Sequence, residues 1–164
     1  MRNDNNEYVI IMLKISRLAD YATAILDVLC RLPAGQGMSA SVIAELTGLT
    51  QATSSKILKQ LNDAEIVKSE RGTNGGYMLA KSAELISLAA IISAIDGKPA
   101  ITQCSNDDAD CCQDINCTVR GNWQLINFLM TDLLANINLT QMTKTLAVAS
   151  YARVSTKNKE PQHG

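Results

Sequence analysis

The sequence predicts a mainly α-helical fold, a winged helix-turn-helix with a β-hairpin wing, followed by a long dimerisation helix. Three patterns indicate it: two amphipathic helices separated by a tight turn, two short strands joined by a glycine-rich turn, and an apolar stripe over residues 118–137. The 164 residues, 46% of them hydrophobic, are enough to form a core. We divide the chain into an N-terminal extension (1–11), the winged helix-turn-helix (12–81), a cysteine loop with the dimerisation helices (82–150) and a polar tail (151–164).

The first helix is predicted over residues 16–32. Its apolar residues, among them Leu18, Ile25 and Leu29, recur at helical spacing, and the segment PAGQG at 33–37 ends it.

Two shorter helices follow and form a helix-turn-helix. Ser39 is the predicted N-cap of the first, which ends at Gly48, and Thr50 is the predicted N-cap of the second, which runs to about Ala64. The apolar residues of the second helix turn inward and leave a polar face outside. That face carries Gln51, Thr53, Ser55, Lys56 and Lys59.

Residues 65–69 and 76–80 read as two strands joined by ERGTNG at 70–75, a turn-forming segment that completes a winged helix. Although the net charge is −1, basic residues exceed acidic ones between Lys56 and Lys81. Each of these pieces alone is common on protein surfaces, but their order predicts binding to double-stranded DNA. The candidate contacts are Thr50, Gln51, Thr53, Ser55, Lys56, Lys59, Arg71, Thr73 and Asn74.

A further helix is predicted over residues 87–95, and a polar loop with four of the five cysteines follows it at 104–117. This acidic loop has little apolar surface to bury, so we expect a bound group to order it. Thiolates suit zinc or an iron-sulfur cluster. A redox-active or merely tolerated cysteine cluster is the alternative, since no C-x-x-C pair is present.

The apolar stripe over residues 118–137 includes Trp123, Ile126 and Leu133 and predicts a long helix that needs a partner. We expect this partner to be a second copy of the chain, because a two-fold dimer would present two reading helices to a palindromic site. Thr140 is predicted to cap a last helix that continues through Leu146 and Val148.

Several classes of protein are disfavoured. The chain has no apolar run long enough to span a membrane and no secretory signal, and its five cysteines favour a reducing compartment, so we expect a cytoplasmic protein. It lacks a phosphate-binding glycine-rich loop, and its one histidine, His163, lies in the tail. We therefore expect neither an enzyme nor a small-molecule substrate.

Four segments together resemble the IscR/NsrR-like winged-helix iron-sulfur regulators, and among them the regulators of the SUF assembly system. They are LADYA (18–22), RGTNGGY (71–77), ISAIDG (92–97) and the loop cysteines followed by GNW (121–123). The resemblance covers about residues 12–146. It implies a homodimeric transcription factor whose DNA affinity depends on a bound cluster, 2Fe-2S in preference to 4Fe-4S.

By the same resemblance, Cys104, Cys111 and Cys117 match the three cluster ligands, while Cys112 is an additional thiol. IscR-type members have a histidine as fourth ligand where this chain has Arg120. NsrR-type members take the fourth ligand from an acidic residue on the partner's first helix, a position that Asp20 matches. The implied function is repression of iron-sulfur assembly genes. The alternative is a winged-helix regulator that senses thiol oxidation, nitric oxide or zinc through the same cysteines.

Overall fold

The computed structural model describes residues 15–72, 75–99 and 119–144. Within these ranges the elements are α1 (Arg17–Cys30), α2 (Ala40–Thr47), α3 (Gln51–Asp63), β1 (Val67–Glu70), β2 (Gly76–Leu79), α4 (Leu88–Asp96), α5 (Arg120–Ala135) and α6 (Leu139–Met142). A 3-10 turn at Ala83–Leu85 precedes α4. The arrangement confirms the predicted mainly α fold with one antiparallel hairpin.

The helix-turn-helix begins and ends where the capping residues predict. The Ser39 Oγ accepts a hydrogen bond from the Val42 amide at 3.4 Å, and the Thr50 Oγ1 accepts one from the Thr53 amide at 3.2 Å. Gly48 ends α2 in the left-handed conformation, with φ 67°. Side chains within four residues therefore set both ends of the turn between α2 and α3.

One hydrophobic core holds the three N-terminal helices, the base of the hairpin and α4 together. It includes Ile25, Ile43, Ile57 and Ile91, all fully buried. Leu139 of α6 is also fully buried in this core. Residues on both sides of the predicted boundary at position 81 thus share a core.

The hairpin is tied to the helices by a third extended segment. β1 and β2 pair with Val67 opposite Leu79 and Glu70 opposite Gly76. On the other side of β2, Met38 pairs with Tyr77 in an isolated antiparallel bridge. The wing therefore lies directly against the segment that joins α1 to α2.

Helix α5 is attached to the rest of the subunit mainly at its C-terminal end. Leu134 and Ile137 pack against Ala19, Leu88 and Ile92. Just beyond the helix, the Leu88 amide donates to the Ile137 carbonyl at 2.7 Å, and the Leu139 amide donates to the Ile86 carbonyl at 2.8 Å. No residue of α5 itself is buried. The helix consequently presents most of its apolar surface to solvent in the isolated subunit.

The prediction for the last helix was wrong in its cap. Thr140 lies inside α6, and Asn138 is the N-cap, with its side chain bonded to the Gln141 amide at 3.0 Å. The Gln141 side chain accepts from the Asn138 amide at 2.8 Å, which completes a capping box. A Thr at position 140 offers no comparable reciprocal pair, so the helix begins earlier. Leu146 and Val148 lie outside the described residues.

Candidate nucleic-acid interface and metal-binding residues

The outward face of α3 carries most of the residues predicted to contact DNA. Ile57, Leu58 and Leu61 are fully buried and determine which side of the helix faces the core. As a result Gln51, Ser55, Lys56 and Lys59 are exposed and Thr53 is half-buried. The face combines amide and hydroxyl groups, which can read base edges, with two ammonium groups, which can contact phosphates.

Thr50 and Thr53 have a second task at the start of α3. Their hydroxyl oxygens lie 2.8 Å apart, and the Thr50 hydroxyl also accepts from the Thr53 amide. Because this end of the helix points its free amides outward, it adds a positive dipole end to the surface that would meet a phosphate.

Arg71 follows β1 directly and is exposed at the wing. Its neighbour in the wing, Lys68, forms a salt bridge of 2.6 Å to Glu70, so part of the positive charge counted from the sequence is neutralised there. Both side chains of this pair are about half exposed, and such pairs contribute little to stability. The predicted contacts Thr73 and Asn74 lie outside the described residues.

Steric contacts explain why glycine occupies several positions of the wing. A Cβ on Gly76 would lie 2.6 Å from the backbone carbon and oxygen of Met38, and one on Gly75 would lie 2.4 Å from the Glu70 oxygen. On the facing segment, a Cβ on Gly37 would lie 2.8 Å from the Gly75 carbonyl carbon. Backbones approach here too closely for any side chain, which explains the adjacent glycines in RGTNGGY.

Ser54 is a residue of α3 that the sequence reasoning missed. It is fully buried, and its Oγ has no hydrogen-bond partner among the described residues. Helical spacing could have predicted this burial, because Ser54 lies one turn before Ile57 and Leu58 on the same face of the helix. A small side chain at this position lets α3 pack closely.

Of the four candidate cluster ligands, the structure describes only Asp20. It lies in the first turn of α1 and is exposed, and its carboxylate makes no hydrogen bond or ion pair with any described residue. Cys104, Cys111 and Cys117 lie outside the described residues, as does Cys112. Within residues 15–72, 75–99 and 119–144, no group of three or more His, Cys, Asp or Glu side chains could hold a metal ion.

Helix α5 carries six of the eleven large hydrophobic side chains that are exposed in the described ranges. Leu125 is 57% exposed, Phe128 64% and Leu129 56%. Trp123 and Ile126, one and two turns from the start of the helix, are also exposed. Contiguous apolar surface of this kind marks an interaction site.

The helix-turn-helix presents an outward polar helix, and backbone pairing ties a wing to the segment before α2. This combination is that of a winged-helix DNA-binding protein. The profile of the Rrf2 family, described as an iron-dependent transcriptional regulator, matches residues 15–145. The chain belongs to this family, and the predicted IscR/NsrR-like resemblance is confirmed. It is accordingly a DNA-binding transcriptional regulator and not an enzyme.

Named relatives agree with this assignment. The chain is 31% identical to the HTH-type transcriptional regulator IscR of Pectobacterium carotovorum over 130 residues, which cover 79% of this chain and 78% of that protein. It is 28% identical to IscR of Erwinia tasmaniensis over 144 residues, covering 87% and 86%.

Solved structures show the same fold. CymR, the global cysteine regulator of B. subtilis, superposes with a TM-score of 0.65 at 25% identity, over 80% of this chain and 97% of that one. IscR of T. potens superposes with a TM-score of 0.58 at 21% identity, over 92% and 93%. In the part of this chain that the structure describes, no helix is both long and apolar enough to cross a membrane.

Proposed function

We propose that this protein is a homodimeric, cytoplasmic repressor that senses an iron-sulfur cluster and controls iron-sulfur assembly genes. The observation that carries the proposal is the match of residues 15–145 to a family described as iron-dependent regulators, in a chain with three suitably spaced loop cysteines.

For DNA, α3 is the reading helix and the wing is the second contact. Gln51 and Ser55 would contact base edges, and Lys56, Lys59 and Arg71 would contact phosphates. Support comes from the exposure of all five side chains on elements that the buried core holds in place. Thr50, Thr53, Thr73 and Asn74 complete the proposed contact set.

For the dimer, α5 of each subunit would pack against its copy. Leu125, Phe128 and Leu129 are each more than half exposed, and covering them removes apolar surface from water. A two-fold axis through this contact would place one α3 on each side, as binding to a palindromic site requires.

For the cluster, Cys104, Cys111 and Cys117 would supply three thiolates and Asp20 of the partner subunit the fourth ligand. The donor set fits, because thiolates are the usual ligands of iron-sulfur clusters and a carboxylate can complete the coordination of one iron. Asp20 supports this role because it is exposed and its carboxylate has no hydrogen bond or ion pair in the described structure. We favour a 2Fe-2S cluster over a 4Fe-4S cluster. The fraction of the protein that carries the cluster, and the redox state of that cluster, would depend on the cell's iron-sulfur supply.

A second candidate function shares the DNA-binding parts. CymR of B. subtilis has the same fold and is a cysteine regulator, so proteins of this fold also regulate processes other than iron-sulfur supply. In this alternative the loop cysteines would sense thiol oxidation, nitric oxide or zinc.

Anaerobic purification followed by absorption spectroscopy and by iron and sulfide analysis distinguishes the two. We expect a brown protein, and we expect Cys104→Ser, Cys111→Ser and Cys117→Ser each to lose the chromophore. Cys30→Ser is the matched control, because Cys30 is a free, half-buried thiol of α1 outside the loop. Full iron and sulfide in all three loop variants, or bound zinc in the wild type, contradicts the cluster proposal.

A further inference from the structure

The residues of helix α1 supply only one of the two hydrogen bonds of an N-terminal capping box. The Ser16 Oγ accepts from the Ala19 amide at 3.1 Å, but the residue three positions into the helix is Ala19, which is 1% exposed and packs against Leu88 and Ile92. A glutamate or glutamine that could bond back to the Ser16 amide does not fit there. The helix therefore needs an acceptor from elsewhere in the fold.

Asp96, the last residue of α4, is that acceptor. Its Oδ2 accepts from the Ser16 amide at 3.1 Å across 80 residues of sequence. The carboxylate also places negative charge at the N-terminal end of α1, which favours the helix dipole. The start of α1, one turn from Asp20, is thus bonded to the end of α4.

The preceding residue is bonded to the DNA-reading helix. Gln60 on α3, next to Lys59, donates from Nε2 to the Ile95 carbonyl at 3.4 Å. The Gln60 Oε1 is buried and has no hydrogen-bond partner among the described residues. Loss of the Ile95 contact would leave both ends of this half-buried amide unpaired, which is unfavourable. The amide is therefore expected to follow Ile95 when α4 moves.

These two bonds make the end of α4 a junction. Gly97, with φ 84°, ends the helix, and the chain then runs towards the cysteines. The segment ISAIDG (92–97) is one of the four that carry the family resemblance, but its residues are neither proposed DNA contacts nor proposed cluster ligands. Its last residues instead contact both the start of α1 and the reading helix.

We propose that Ile95 and Asp96 form a coupling junction, with Gln60 and Asp96 as positioning residues that relate the state of the cysteine loop to the orientation of α3. The proposal rests on the cluster-sensing function above. Among the described residues the Gln60 side chain is bonded only to Ile95, so a shift at the end of α4 reaches α3 through this amide. Couplings between sites typically change affinity about 5- to 150-fold.

The test compares holo and apo protein on one palindromic operator selected from a random duplex library, under strict anaerobiosis and at equal dimer concentration. In the wild type we expect the affinities to differ at least about fivefold. Gln60→Met, which keeps the side-chain length but not the donor, should bring this ratio close to one. Gln60→Lys, which keeps a donor, should retain it, and so should Asn62→Ala, a control at an exposed position of the same helix.

A second pair of variants keeps the proposal testable if Gln60→Met does not fold. Asp96→Ala should also reduce the holo-to-apo ratio, whereas Asp96→Asn retains an acceptor oxygen and should preserve it. If the wild-type ratio is large and both Gln60→Met and Asp96→Ala keep it, the junction is overturned and the sensor stands. A wild-type ratio of one overturns the sensor and the junction together.

Discussion

Met38 and Tyr77 exchange two backbone hydrogen bonds, from the Met38 amide to the Tyr77 carbonyl at 2.9 Å and from the Tyr77 amide to the Met38 carbonyl at 2.8 Å. This pairing is an isolated bridge that joins the segment before α2 to the wing. A two-stranded hairpin alone is marginally stable, so the extra pairing gives the wing a defined orientation relative to α3. The proposed DNA-binding surface accordingly includes a wing that backbone pairing ties to the segment before α2.

The first prediction concerns this close approach. Gly76→Ala should destabilise the protein strongly, because the added Cβ would lie 2.6 Å from the Met38 backbone. Gly72→Ala is the matched control. The φ of Gly72, 118°, is close to the 120° of Gly76, but no described atom lies within 4 Å of a Cβ added at Gly72. We expect Gly76→Ala to lower the free energy of unfolding by about 2 kcal/mol more than the control. Urea denaturation of the apo protein at one concentration measures both, and equal losses would disprove the steric account.

The second prediction concerns the buried hydroxyl of α3. Ser54→Ala removes a fully buried Oγ that has no partner in the described structure. Ser55→Ala, at the neighbouring exposed position, gains the same helix propensity without changing a buried group. The free energy of unfolding should therefore rise by about 1 kcal/mol more for Ser54→Ala than for Ser55→Ala. A loss of stability in Ser54→Ala would show that the hydroxyl is bonded.

The third prediction concerns phosphate contacts. Lys59→Ala and Arg71→Ala should each weaken binding to all duplexes and reduce the slope of log affinity against log salt by about one. Lys144→Ala removes an exposed charge after α6, outside α3 and the wing, and should leave the slope unchanged. Fluorescence anisotropy over a salt series gives the slopes. If both variants keep the wild-type slope, DNA binds to a surface other than α3 and the wing.

The fourth prediction concerns α5 as a dimer helix. Phe128→Asp places a charge at a position that is 64% exposed in the isolated subunit and would be buried in the dimer. An unpaired charge in such an interface should raise the dimer dissociation constant at least about 100-fold. Gln36→Asp adds the same charge at an exposed position of the loop between α1 and α2, outside α5, and serves as the control.

Analytical ultracentrifugation measures the dissociation constants, and the emission of Trp123, the single tryptophan, reports whether the helix is covered. A variant Phe128→Asp that remains dimeric at nanomolar concentration would place the interface elsewhere.

The helix-turn-helix was predictable because its boundaries are local. Ser39, Thr50 and Gly48 act on backbone groups within a few residues, and Ile57 and Leu61 repeat at helical spacing. The exposed face of α3 followed from the same spacing. Such signals do not depend on the rest of the fold.

The sequence by itself determined the helical register, the two strands of the hairpin and the placement of the polar residues on α3, since these depend on interactions between near neighbours. Only the tertiary structure decided that Met38 pairs with Tyr77, that Leu139 enters the core, and that Asp96 caps α1 from 80 residues away. Contacts between distant residues depend on how separate elements pack, and periodicity within one element carries no information about its partners. The sequence cannot distinguish an aspartate that caps a helix from one that faces solvent, because the capped helix can come from a distant part of the chain.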